Sequence, residues 1–132
     1  MDEAVQRKLG VRPGRSFVRL DAPGGPAAAG EDPAAADVTL VFVRDCSAVA
    51  SALGRALPRY RRGAALWFAY PKKSGAIASD ISRDAGWEPL AEAGLLPVSQ
   101  VAIDADWSAL RFRYRDEIAT ITRRQDLPGQ RP

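Results

Sequence analysis

The sequence predicts a small open-sheet α/β domain of about five strands, three parallel plus a C-terminal antiparallel pair, with flanking helices. Two short apolar runs rich in β-branched or aromatic residues, 37–43 and 64–70, have the continuous hydrophobic character of strands covered on both faces. Between them Val49, Leu53, Ala56 and Leu57 recur at helical spacing, and a strand-helix-strand order implies a parallel crossover. Near the C-terminus Leu110, Phe112 and Tyr114 alternate with Arg111 and Arg113, which is strand periodicity on a partly open surface.

The elements follow in order. Val5 to Leu9 reads as a short helix stopped by Gly10 and by Pro13-Gly14. Strand one spans 16–20. The stretch 21–36 is broken by Pro26, Gly30 and Pro33 and reads as loop with at most a helical turn. Strand two, 37–43, is central. Asp45 or Ser47 is placed to cap the next helix, whose end is crowded by Arg55, Arg59, Arg61 and Arg62, favourable charges for a helix C-terminus. Strand three is 64–70. Residues 76–85 are predicted helical, with Ile77 and Ile81 four apart on one face, and Gly86 ends that helix. A further short helix over 87–94 has Pro89 in its first turn and Gly94 past its end. Strand four is 98–103, and Asp104 to Trp107 turns the chain into strand five, 109–114. One domain is expected over 1–115, followed by a polar tail over 116–132.

Composition excludes several classes of function. With 46% hydrophobic and 27% charged residues the chain is expected to fold. No apolar run approaches the ~18 residues of a membrane span, and the N-terminus does not read as a signal peptide, so a cytoplasmic location is expected. Histidine is absent, which removes the commonest general base and transition-metal ligand together. Cys46 is the only cysteine, so there is no CxxC pair, and no metal or cofactor is implied. Its position at a helix start is where a thiol pKa can fall, but no histidine is there to act as base. A net charge of +3 with scattered arginines gives no basic run, and nucleic-acid binding is not expected.

Several strings carry a resemblance: Lys8-Leu9-Gly10-Val11-Arg12-Pro13-Gly14, Leu66-Trp67-Phe68-Ala69-Tyr70-Pro71-Lys72-Lys73, Arg83-Asp84-Ala85-Gly86-Trp87-Glu88-Pro89-Leu90, and residues 98–112. They resemble a family of short bacterial proteins classed as a domain of unknown function. The layout is similar to the later half of Rossmann-fold methyltransferases, which implies a truncated Rossmann-like sheet with strand five between strands three and four. The same resemblance shows what is missing. Asp21-Ala22-Pro23-Gly24-Gly25 is a poor copy of the glycine-rich turn that lets a cofactor approach the backbone. A methyltransferase-like enzyme, dependent on S-adenosylmethionine or a nucleotide, would therefore need a dimer mate or partner chain to complete it.

The candidate site is the loop after strand three, because ligands of open parallel sheets gather beyond the carboxyl ends of the strands. Only three of the 19 basic residues are lysine, and two of these, Lys72 and Lys73, are adjacent in that loop. Pro71, Ser74 and Gly75 complete it, with Ser74 and Gly75 offering backbone amides to an anion, though the GxxxxGK[ST] spacing is absent. Asp80, Arg83 and Asp84 lie close in sequence, and Trp107 follows a turn with an indole donor. No catalytic residue is identified. The expectation is a non-catalytic binding or regulatory module, self-associating, that engages a small anionic ligand or a protein partner.

Overall fold

A computed structural model describes residues 3–20, 37–61 and 63–115. Helix α1 (Glu3–Leu9) is followed by strands β1 (Phe17–Leu20) and β2 (Val38–Phe42). Helix α2 (Val49–Ala56), strand β3 (Ala65–Pro71), helix α3 (Glu88–Glu92), strand β4 (Leu95–Ala102) and strand β5 (Trp107–Tyr114) complete the order. The five strands form one sheet in the order β1-β2-β3-β5-β4. β1, β2 and β3 pair in parallel, whereas β5 is antiparallel to both β3 and β4. The mixed sheet is as predicted, and β5 is interior.

Side-chain alternation divides the core between the two faces of the sheet. On one face Leu66, Phe68 and Tyr70 of β3 join Val41, Leu110 and Phe112 beneath α2 and α3, with Val49, Ala52, Ala56 and Leu90 supplied by the helices. On the other face Leu40, Trp67, Ala69, Trp107 and Ala109 pack against Val5 and Leu9 of α1. All seven residues of β3 are buried, as a strand covered on both faces requires. The Trp67 indole N–H donates to the Leu9 carbonyl at 2.9 Å, so the one polar atom of this ring is satisfied at the end of α1.

Arg111 and Arg113 are compatible with an interior strand because they lie on the side opposite Leu110 and Phe112 and are only half buried. The Arg111 guanidinium reaches the Ala64 carbonyl at 3.4 Å. The strand periodicity thus reports a difference between faces, not an edge position. The edge beside β5 is β4, whose residues 97–100 are exposed. It carries Pro97 and a register shift between Pro97 and Ser99, both of which discourage pairing with a further strand.

Two expectations are corrected. Neither Asp45 nor Ser47 caps a helix through its side chain; the Ser47 hydroxyl donates to the Asp45 carboxylate at 2.7 Å, and a 3-10 turn, Cys46–Ala48, leads into α2. The helix predicted over 76–85 does not form. In a helix Ile77 and Ile81 would share a side, but Ile77 packs on the α1 face of the sheet and Ile81 on the α2 face. An irregular segment lets the two side chains reach opposite faces. Its polar residues also bond elsewhere: the Ser79 hydroxyl donates to the Arg44 carbonyl at 2.6 Å, and the Asp80 carboxylate accepts the Cys46 N–H at 2.8 Å. The predicted loop 21–36 with Gly24 and Gly25, Arg62, and the polar tail 116–132 lie outside the described residues.

At the opposite end of the sheet Asp37 joins β1, β2 and the segment after α2. Its carboxylate accepts the Ser16 N–H at 3.0 Å and pairs with Arg61.

Candidate functional site

The chain leaves β3 at Pro71 and turns sharply. The Lys72 N–H donates to the Asp106 carbonyl at 2.8 Å, and the Gly75 N–H closes a turn onto the Lys72 carbonyl at 3.1 Å. The Asp106 carboxylate accepts the Ala76 N–H at 2.9 Å. Asp104 orders the facing turn by accepting the N–H groups of Asp106 and Trp107 at 2.8 and 2.9 Å. Glycine is needed at position 75 because a Cβ there would lie 2.8 Å from the Asp106 Cα. Close approach of two turns therefore explains Gly75. Its amide is engaged within the turn, which corrects the expectation that it would face an anion.

Beyond this turn the chain crosses the sheet edge and is anchored again at the β2-α2 junction by Ser79 and Asp80. The Trp87 indole N–H then donates to the Ser82 carbonyl at 2.8 Å, while its ring packs on Phe68, Tyr70 and Phe112. Core packing of Trp87 thus holds the backbone from which Ser82, Arg83 and Asp84 project.

Between the two segments is a cleft of about 460 Å³. Lys72, Lys73 and Ser74 line it from the first segment, and Ser82, Arg83 and Asp84 from the second. Tyr70, Gln100 and Ser108 contribute from β3, β4 and β5. The Gln100 amide donates to the Tyr70 hydroxyl at 2.8 Å and to the Ser108 hydroxyl at 3.3 Å, so three strands are linked across the cleft. Burial raises the Tyr70 pKa, which keeps the phenol protonated at neutral pH. Arg83 and Asp84 approach only to 3.9 Å and are well exposed, a geometry that contributes little to stability and leaves both groups accessible. Arg83, Asp84 and Gln100 also line a smaller neighbouring cavity of about 150 Å³ with Pro97, Val98, Ser99 and Leu110.

Of the residues singled out from the sequence, Lys72, Lys73, Ser74, Arg83 and Asp84 are brought together in this cleft. Four are not. Pro71 is buried at the end of β3, and Gly75 abuts Asp106. Asp80 is directed to the β2-α2 junction. Trp107 is only 6% exposed and packs edge-on against Phe42 at 5.1 Å, which makes it a core residue. The sequence reading missed Tyr70, Ser82, Gln100 and Ser108. Strand alternation places Ser108 on the Leu110 side, but the register that sets it opposite Tyr70 is a tertiary pairing.

Cys46 has its thiol pKa raised, by burial first and then by the Asp80 carboxylate, which opposes thiolate chemistry. Asp80 in turn is held below the ordinary aspartate value of 3.8 chiefly by the Cys46 N–H. A carboxylate with a depressed folded-state pKa contributes stability that is complete above its unfolded value and is lost as pH falls through the folded value. Asp37 behaves alike, through Ser16 and then Arg61. The stability difference between wild type and Asp80→Ala, measured by urea denaturation, is therefore expected to be constant from pH 7 to about 5 and to shrink below about pH 4. A difference that grew in acid would contradict this role.

Among the described residues no group of three or more Cys, Asp or Glu side chains is arranged to hold a metal ion. No helix among them is long and apolar enough to cross a membrane. No family model, curated protein or solved structure matches the chain.

Proposed function

We propose that this protein is a non-catalytic binding module that holds a small anionic ligand in the cleft between the Lys72-Ser74 turn and the Ser82-Asp84 segment. The observation that carries this reading is the placement of three cationic side chains, Lys72, Lys73 and Arg83, around one cleft that holds a single carboxylate, Asp84. Charge-assisted hydrogen bonds from lysine and arginine are the strongest recognition elements for phosphate and carboxylate groups. The absence of histidine from the chain favours binding over acid-base chemistry at neutral pH.

Calorimetry with inorganic phosphate tests the proposal. Binding is expected, and the double substitution Lys72→Ala/Lys73→Ala is expected to weaken it at least about tenfold. Thermal stability should change little, since Lys73 is exposed, Lys72 is half-buried and neither belongs to the core, and such surface changes usually contribute within about 0.5 kcal/mol. Equal phosphate affinity in wild type and double variant would refute the reading.

A second reading is favoured by the strand order. β5, reversed between β3 and β4, occupies the position implied by a truncated Rossmann-like, methyltransferase-like layout. On this reading a cytoplasmic homodimer or partner chain completes a cofactor site. Calorimetry with S-adenosylmethionine discriminates, because heat from this cofactor that survives Lys72→Ala/Lys73→Ala would favour the enzyme.

A further inference from the structure

The nine side chains lining the larger cleft all carry a hydroxyl, an amide or a charge. Small-molecule pockets are ordinarily walled by apolar and aromatic groups that bury the ligand body, with a few polar groups to orient it. Here no Leu, Ile, Val, Met, Phe or Trp side chain is among the lining residues. The only ring in the lining is that of Tyr70, which is 3% exposed and packs against Trp87 at 5.7 Å with the planes at 82°. Its face is therefore not offered to a flat heterocycle.

The polar groups are also divided in space. Lys72 and Lys73 line the larger cleft and not the smaller cavity on the β4 side, whereas Arg83, Asp84 and Gln100 line both. Gln100 is joined to Tyr70 and Ser108 in one hydrogen-bonded row. A row of hydroxyl and amide groups presents donors and acceptors side by side, and the Asp84 carboxylate adds acceptors alone. A chain of neighbouring hydroxyl groups matches this pattern, because each hydroxyl both donates and accepts.

Building on the anion-binding reading, we infer that the ligand is a phosphorylated polyol, with its phosphate at Lys72 and Lys73 and its hydroxyls along Asp84, Gln100, Ser108 and Tyr70. The body supplies selectivity, since a site built from hydrogen-bonding groups discriminates strongly against ligands that leave those groups unpaired.

Calorimetry with inorganic phosphate, ribose 5-phosphate, ribose and adenosine 5′-monophosphate tests this inference. Ribose 5-phosphate is expected to bind at least about tenfold more tightly than inorganic phosphate. Gln100→Leu, an exposed edge-strand change, and Ser108→Ala are each expected to reduce ribose 5-phosphate affinity about tenfold, with circular dichroism confirming the fold. Equal binding of ribose 5-phosphate and inorganic phosphate would overturn the polyol inference while leaving the anion reading standing. Tighter binding of the nucleotide than of ribose 5-phosphate would also overturn it, in favour of a base-binding site. Ribose binding as tightly as its phosphate, or no binding of any phosphate compound, would overturn both.

Discussion

Phe112→Ala is expected to destabilise the domain by about 3–5 kcal/mol, the range typical of emptying a buried aromatic site. Phe112 is fully buried, with its ring 5.6 Å from that of Phe68 and 5.2 Å from that of Trp87. It lies on the interior strand β5, opposite Leu66 on β3 and Pro97 on β4, and its ring sits in the core on the helix-covered face, so the void would open above the sheet beneath α3. Neighbouring side chains on a hydrogen-bonded sheet can collapse into such a void only partly. Domains are typically stable by about 5–15 kcal/mol, so the loss would consume much of the total. Urea denaturation of Phe112→Ala and Phe112→Leu provides the measurement. The leucine variant, which retains more of the volume, is expected to lose about 1–2 kcal/mol. A loss below about 1 kcal/mol for the alanine variant would contradict the assignment of Phe112 to the core.

Gly86→Ala is expected to destabilise the domain by about 2–4 kcal/mol. Two costs add. Gly86 has φ +105°, a conformation that L side chains rarely adopt. A Cβ there would also lie 2.8 Å from the Cys46 Sγ and 2.8 Å from the Ile81 Cγ1, so close-packed side chains would have to move. The consequence for the site is direct, because Gly86 lies between Asp84 and Trp87 on the segment that forms one wall of the cleft. Gly54→Ala is the control. Gly54 is an exposed position in α2 with nothing within 4 Å of its added Cβ, and alanine there is expected to stabilise by about 0.5–1 kcal/mol. Thermal melts of the two variants should shift in opposite directions. A Gly86→Ala midpoint equal to wild type would show that the Cys46, Ile81 and Gly86 contact is not tightly packed.

The expected loss of phosphate binding in Lys72→Ala/Lys73→Ala has a different origin from both effects. Lys73 is exposed and Lys72 half-buried, so their replacement removes charge from the cleft while leaving the core intact. Comparing the classes of variant separates damage to the fold from damage to the site.

The parallel strands were legible in the sequence because a strand buried on both faces must be apolar at nearly every position, as residues 37–43 and 64–70 are. The short helix α3 was legible through Pro89 and Gly94, whose backbone preferences are local. The pair Lys72 and Lys73 stood out for a chemical reason, as lysines in an arginine-dominated chain at the carboxyl end of a parallel strand. Local pattern failed where long-range contacts override it. The spacing of Ile77 and Ile81 suits a helix, but packing on opposite faces of the sheet and the attachment of Ser79 and Asp80 to the β2-α2 junction favour an irregular chain. Trp107 looked available because it follows a turn, whereas its contact with Phe42 buries it. Likewise, no residue near Lys72 in sequence announces Gln100 or Ser108. Their meeting with Tyr70 depends on strand register, a property of paired strands that one strand's side-chain pattern does not contain.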